Sequence, residues 1–201
     1  MRHAYRGEPD PWTRRGHQPA GIREEMIVLI RKAVIADLEA VAGIYEEIHR
    51  AEEAGTIVTG WIRGVYPTKA TAEAALKRND LFVLENNGKI YGSGIINQIQ
   101  LDEYHTAQWD HQAGADQVCV LHTLTISPRA GRMGLGKQFV GFYETYALEH
   151  SCRELRIDTN ERNLAARKMY KTLGYKEISI VPTMFNGIPD VNLVLLEKWL
   201  D

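Results

Sequence analysis

The sequence predicts a mixed α/β domain built on a mainly antiparallel sheet. Three observations carry this expectation. Two β-rich runs, "LFVLE" and "KIYGSGIINQIQ", flank "NNG" between residues 81 and 100; Asn-Gly tolerates the positive φ of a tight hairpin. From residue 118 onward, β-rich runs alternate with helical periods as strand–helix–strand–helix–strand, a pattern of α/β layering. Between the first of these strands and its helix lies "SPRAGRMGLGKQF" (127–139), a glycine-rich connector.

The elements follow in order. Residues 1–25 mix Arg with Pro, Gly and acids, show no apolar period and read as a mobile tail. The patterned chain, residues 26–201, reads as one domain. "MIVLIRKAV" (26–34) is a short β-rich run. Leu38, Val41, Ile44, Tyr45 and Ile48 then recur at helical spacing, and Gly55 ends that helix. "TIVTGWIRGVYPT" is a loop rich in large side chains. "KATAEAALKRND" is a second helix stopped by Asn79-Asp80, and the hairpin follows. Residues 101–117 form a long polar loop. "VCVLHTLTIS" (118–127) is a strand, "GLGKQFVGFYETYALEH" an amphipathic helix and "ELRIDT" a strand. "NLAARKMYKTLG" is a helix, and "YKEISIV" and "NLVLLEK" are the last strands.

Composition narrows the function. The chain has 201 residues, 44% hydrophobic and 25% charged, with a net charge of −2, ordinary values for one globular core. No dense Lys/Arg cluster marks a nucleic-acid footprint. No apolar run approaches the roughly 18 residues of a membrane helix. Residues 1–25 lack the apolar middle of a signal peptide. Cys119 and Cys152 are too few for a disulfide framework, so a reducing cytoplasm is the expected compartment.

The glycine-rich loop is an anion site by construction. It enters a helix near Gly134, where unpaired amides and the helix dipole face outward. Gly134 and Gly136 let a phosphate approach the backbone. Gly131-x4-Gly136-Lys137 has most of a Walker A loop, but Gln138 stands where a magnesium-binding Ser or Thr belongs. A dinucleotide fingerprint would need glycine where Phe139 stands. A connector that binds nothing is the third reading.

The next fifty residues decide between them. "NERNLAARKMYKTLGY" contains Asn163-x2-Ala166-x3-Tyr170-x3-Gly174-Tyr175. Together with "LHTLTISPRAGRMGLGK" it resembles the GNAT superfamily of acetyl-CoA-dependent N-acyltransferases, over about residues 26–198. The resemblance implies that family's α/β (α+β) fold: a mixed, mostly antiparallel sheet of six or seven strands with helices on both faces. It also implies acetyl-CoA as cofactor. The pyrophosphate would lie on the amides of Arg132, Met133, Gly134, Leu135, Gly136 and Lys137. The pantetheine arm would bond the backbone of Leu124, Thr125 and Ile126, where the family's strands splay apart. The family usually reads Gln/Arg-Gly-x-Gly-x-Gly; here Gly131 and Arg132 occupy the first two positions, so a cation stands at a usual glycine site.

Asn163, Ala166 and Tyr170 share one helical stripe, with Asn163 placed to bond the cofactor and Ala166 leaving room for it. Leu164, Met169 and Leu173 point elsewhere, toward the core. Tyr170 suits the general acid: a phenol of pKa about 10 stays protonated at neutral pH, yet can serve a leaving thiolate of pKa near 8.5. His122 is the candidate base, on the expectation that it shares a strand face with Leu124 and Ile126. Glu103 and a water relay are its rivals. The acceptor, a primary amine of a small molecule or peptide, would meet Trp61, Tyr66, Asn97, Gln98 and Trp109, with Gln100 and Tyr104 nearby. His105 and His111 match no metal signature, and no metal, nucleic-acid or membrane partner is expected. The aromatic, Leu/Val-rich C-terminal segment allows a homodimer. The alternative is a non-catalytic CoA-binding or sensing module on the same fold.

Overall fold

The computed structural model describes residues 28–130 and 133–201. The expected tail, residues 1–25, and the Gly131-Arg132 pair lie outside the described residues. Seven strands form one sheet: β1 (Val28–Lys32), β2 (Leu81–Asn86), β3 (Lys89–Asn97), β4 (Val118–Ile126), β5 (Glu154–Asn160), β6 (Lys176–Phe185) and β7 (Ile188–Trp199). Their spatial order is β1-β2-β3-β4-β5-β7-β6. Only β4 and β5 pair in parallel; every other neighbouring pair is antiparallel. This is the mixed, mostly antiparallel sheet the sequence predicts.

The helices are α1 (Leu38–Glu53), α2 (Lys69–Lys77), α3 (Leu135–Glu149) and α4 (Leu164–Thr172). Strand side chains alternate between the two faces, so each face needs its own cover. On one face Leu81, Val83 and Ile95 bury against Leu38, Val41 and Tyr45 of α1 and Ala72 and Ala75 of α2. On the other, Phe82, Cys119, Leu121, Leu155 and Ile157 bury against Leu135, Phe139 and Tyr143 of α3 and Tyr170 of α4. Val118, Val120, Leu193 and Leu195 return to the first face, where the 101–113 loop covers them with Tyr104.

That loop is held by charge. Along β5 the charged residues Glu154, Arg156 and Asp158 alternate with Leu155 and Ile157. Glu154, on the loop side, accepts the Ala113 amide at 3.0 Å and the Arg156 Nε–H at 2.6 Å. The Arg156 guanidinium lies 4.0 Å over the Trp109 ring. Glu197 of β7 accepts the amides of Asp110 and His111 at 2.9 and 3.0 Å. Buried carboxylates are stable only when bonded in this way.

The last two strands are longer than the sequence suggests. Both run through a proline: Pro182 lies on β6, an edge strand, and Pro189 lies beyond the stretch of β7 that pairs with β5, where no ladder donor is lost. Asn186 and Gly187, at φ of 49° and 85°, make a second Asn-Gly hairpin turn.

Gly94 marks the tightest contact between sheet and helix. A Cβ there would stand 2.7 and 2.8 Å from the Phe139 ring, which is fully buried. Gly94→Ala is therefore expected to lower stability by roughly 1–3 kcal/mol through overpacking. It would be read as a lower urea midpoint at unchanged slope; an unchanged midpoint would show that α3 can back away.

Candidate active site

The site begins as an interruption in a ladder. β4 and β5 pair from Val118↔Glu154 only to Leu121↔Ile157. Both strands run on, β4 still paired with β3 and β5 with β7. A wedge opens between them, with one backbone edge of residues 123–126 turned into it. The cause is a bulge. Ile95 pairs with His122 and Ser93 with Thr125, so β4 has one residue more than β3 across this span. Thr123 holds a positive φ of 50° there.

The bulge corrects one expectation. An extra residue reverses the alternation, so His122 does not share a face with Leu124 and Ile126. Those two pack with Leu121 on the α3 side. His122 faces the α2 side, where its Nε2–H donates to the Ile99 carbonyl at 3.0 Å and to Asn97 Oδ1 at 3.1 Å. Burial pushes its pKa down to about 4. A ring so weakly basic, with its proton already engaged, is poorly suited to take a proton from an amine.

A cavity of about 550 Å³ fills the wedge. Leu124, Thr125 and Ile126 line it from β4, and Asn163, Ala166 and Tyr170 from α4, which brings two of the predicted groups together. Asn163 is also the α4 cap, its Oδ1 accepting the Ala166 N–H at 3.1 Å. Its amide nitrogen has no partner among the described residues. Gly174, at φ 88°, ends α4 in a left-handed cap with Tyr175 N–H on the Tyr170 carbonyl at 3.0 Å. Met169 and Leu173 pack on the core as expected, but Leu164 does not; it is 68% exposed at the cavity rim. Burial, and then the charge of Asp158, raise the Tyr170 pKa, so its hydroxyl stays protonated across neutral pH.

The glycine loop meets α3 beside this cavity. Gly134 takes the left-handed conformation (φ 73°) and its carbonyl accepts the Gln138 N–H at 3.1 Å. Leu135 points into the core, leaving the first-turn amides outward. Gly136 has a packing role besides: a Cβ there would approach Met169 Sδ to 3.0 Å. Met133 and Lys137 flank the turn, and Arg132 lies outside the described residues.

A second cavity of about 480 Å³ opens on the α2 side. Tyr66, Thr123, Asp158 and Phe185 line both cavities. The Tyr66 hydroxyl bonds Thr123 Oγ1, and its ring stands edge-on to Phe185 and Trp61 at 5.4 and 6.0 Å. Glu52 pins the adjoining loop through Thr59 Oγ1 at 2.7 Å and the Gly60 amide at 3.2 Å. Of the residues the sequence suggested for the acceptor, Trp61 thus lines the first cavity, Asn97 the second and Tyr66 both. Gln98 and Trp109 line neither. Gln98, one residue past the end of β3, bonds the Asp116 carbonyl at 2.7 Å. Trp109 donates to the Tyr104 carbonyl at 3.0 Å and stacks on Arg156. Gln100 accepts from Arg156, and Glu103 from Thr183. These four hold the covering loop in place.

Asp158 is the residue sequence reasoning missed. It has protein on all sides except the two cavities. Burial raises its pKa to about 6, against the Tyr104 hydroxyl, which donates to it at 2.8 Å. The available signal was Glu154, Arg156 and Asp158 at alternate positions of a central strand, where solvent cannot compensate charge. Among the described residues, no group of three or more His, Cys, Asp or Glu side chains could hold a metal ion. No helix among them is long and apolar enough to cross a membrane.

A raised carboxylate pKa costs stability, and the sign is definite. Below about pH 4 Asp158 is protonated in both folded and unfolded chains, so it contributes no difference. Between about pH 4 and 6 the unfolded chain ionises more readily, and above that range the folded state carries the full cost. The change from 3.8 to about 6 corresponds to on the order of 3 kcal/mol. Asp158→Asn, which still accepts from Tyr104, should out-stabilise the parent protein at pH 8 and lose that advantage by pH 4. Urea midpoints at the two pH values measure this, and equal midpoints at pH 8 would contradict it.

Comparison with known proteins adds the family and the fold. The family model described as Acetyltransferase (GNAT) family matches residues 42–175. No curated relative matches the chain. Solved structures do. An N-acetyltransferase from Staphylococcus aureus Mu50 superposes with a TM-score of 0.63 at 19% identity, over 87% of this chain and 99% of that one. A ribosomal-protein-alanine N-acetyltransferase from Brucella melitensis gives 0.62 at 19%, over 86% and 99%. The yncA protein of Salmonella typhimurium, solved with its cofactor acetyl-CoA, gives 0.63 at 17%, over 87% and 94%. At these identities the likeness is one of fold.

Proposed function

The chain belongs to the acetyltransferase (GNAT) family, whose acyl donor is acetyl-CoA, and we propose that it acetylates a primary amine of a small molecule or peptide by direct attack. The observation that carries this reading is the wedge between β4 and β5, with Tyr170 on one flank and Asp158 at the join of the two cavities. The wedge suits the donor. Its free β4 edge offers backbone partners to an extended amide-bearing arm, and the first turn of α3 offers amides to a pyrophosphate. Two phosphates bound as a handle need no metal, which fits Gln138 in place of a hydroxyl.

Acetyl-CoA supplies an acetyl thioester, whose carbonyl carbon is the electrophile. Asp158 binds the incoming ammonium and then takes its proton, freeing the lone pair for attack. The two affinities converge in this setting, because burial raises a carboxylate's pKa and lowers an amine's. Tyr104 holds the Asp158 carboxylate in place. As the C–S bond breaks, Tyr170 gives its hydroxyl proton to the leaving sulfur. This assigns the base to Asp158 in place of His122. The family motif supports the acid assignment, and the buried carboxylate supports the base. With two unpaired cysteines, a reducing cytoplasm suits the protein.

The experiment is a pH–rate profile with thiol release as readout. kcat/KM should rise through about pH 6 as Asp158 ionises. Asp158→Asn should erase that limb and lower the rate about 100-fold or more, while His122→Ala keeps the limb. Tyr170→Phe should lower kcat about 10-fold or more at unchanged acetyl-CoA affinity. A limb near pH 6 that survives in Asp158→Asn would remove this carboxylate from the mechanism, and an unaltered kcat in Tyr170→Phe would remove the phenol.

A further inference from the structure

The second cavity holds more chemistry than proton removal requires. At its inner end is Asp158. At its outer end Thr71 and Ala74 of α2 and Arg78, its C-cap, stand at i, i+3 and i+7, one stripe lining the cavity. Arg78 donates Nε–H and Nη2–H to Asp80 at 2.9 and 3.3 Å. Its Nη1 has no partner among the described residues. Thr71 Oγ1 accepts the Thr68 N–H at 3.0 Å, and its own hydrogen has no acceptor among the described residues. Asn186, in the exposed β6–β7 turn, contributes an amide that has no partner among the described residues either. Asp80 does not compete for these donors, because it is buried behind the cavity and already bonded by Arg78 and by Asn97 Nδ2 at 2.8 Å. Between the two ends Val65, Ile95, Ile99, Leu101 and Phe185 supply apolar wall, and the polar groups among them are already bonded to protein: the Tyr66 hydroxyl to Thr123, His122 Nε2 to Asn97 and Ile99, and the Asn97 amide to Asp80.

One chamber therefore offers an anion at its inner end, donors with a cation at its outer end, and between them a passage whose polar wall groups are already engaged and whose remaining surface is apolar. We infer that this second cavity seats the non-reacting end of the acceptor, and that the acceptor is a small amine whose short apolar chain ends in a carboxylate or another singly charged acid. The inference rests on the acetyl-transfer reading of Asp158. The amine meets Asp158, the chain lies along Ile95, Ile99 and Phe185, and the acid bonds Arg78 Nη1 with the Thr71 hydroxyl and the Asn186 amide. A diamine is disfavoured, because its second ammonium would face Arg78. A plain alkylamine would make none of the polar bonds that Arg78 Nη1, Thr71 and Asn186 offer at the outer end. A volume of about 480 Å³ suits a small molecule.

The test is a panel of ω-amino acids with two to six methylenes, alongside alkylamines and diamines of equal length. kcat/KM is read by thiol release, with acetyl-CoA binding measured separately by calorimetry. At the best chain length, the amino acid should exceed both competitors at least 10-fold. In Arg78→Gln, which still donates to Asp80, that ratio should fall at least 10-fold, chiefly through KM. Ala74→Glu, an exposed helix position where folding is not at risk, should shift preference toward the diamine. Preference for the alkylamine or diamine in the parent protein, or an unchanged ratio in both variants, would overturn the inference. So would binding of acetyl-CoA with no turnover of any panel member. Failure to bind acetyl-CoA at all would instead overturn the acetyl-transfer reading beneath it.

Discussion

Two neighbouring strands that stop bonding halfway along their length leave backbone groups without partners, and this constraint organises the molecule. Buried amides and carbonyls must be satisfied, so a wedge inside a sheet is stable only if something lies in it. In this chain the wedge comes from one extra residue, Thr123, opposite Ile95 and Ser93. The bulge turns Leu124 and Ile126 toward α3 and His122 toward α2. It thereby leaves Asp158, the first β5 residue beyond the shared ladder, between two cavities. On the proposed reading, a cofactor groove, a proton acceptor and an acceptor chamber all follow from that one interruption.

Much of the wedge is braced from a distance. Asp158 depends on Tyr104, Tyr104 lies on the 101–113 loop, and the loop is tied down by Glu154, Arg156, Trp109 and Glu197. These groups touch no cavity, yet they decide where the carboxylate points. They also account for a polar stripe on a central strand, which would otherwise be an expensive place for charge. The protein tolerates a carboxylate with a raised pKa because the covering loop holds it from one side only, leaving the other side open to the cavities.

The sequence made the fold legible because each element carried its own signal. Asn-Gly marked the first hairpin, the apolar periods of 38–48 and 163–174 marked helices, and the alternation after residue 118 marked the layered half. The ordered pair of loop and α4 motifs drew attention to α4, whose Asn163, Ala166 and Tyr170 line the cavity between β4 and β5. What stayed hidden was non-local. The bulge leaves no composition trace, so counting alternate residues along β4 put His122 on the wrong face. Gln98 and Trp109 looked like pocket residues because they sit beside the hairpin in sequence, but the chain had already turned away from the cavity. Asp158 looked like the tail of an imperfect strand, since a lone acid shows its purpose only when the neighbouring strand has parted from it. The second Asn-Gly turn, Asn186-Gly187, sits between Pro182 and Pro189, outside the two β-rich runs that marked the last strands.

The division of labour between strands and connections has a consequence for how such a protein changes over time. On the proposed reading, the outer end of the acceptor chamber draws Thr71, Ala74 and Arg78 from a short helix and its C-cap, Val65 from a loop and Asn186 from a hairpin turn, and none of these lines the first cavity. Tyr66, Thr123, Asp158 and Phe185 line both cavities and are tied to the groove. Substitutions that retune the outer end therefore fall on parts of the chain that can vary independently of the groove. A lineage can drift through new acceptors while the donor machinery stands still, and a designer can exchange α2 and the β6–β7 tip as a cassette.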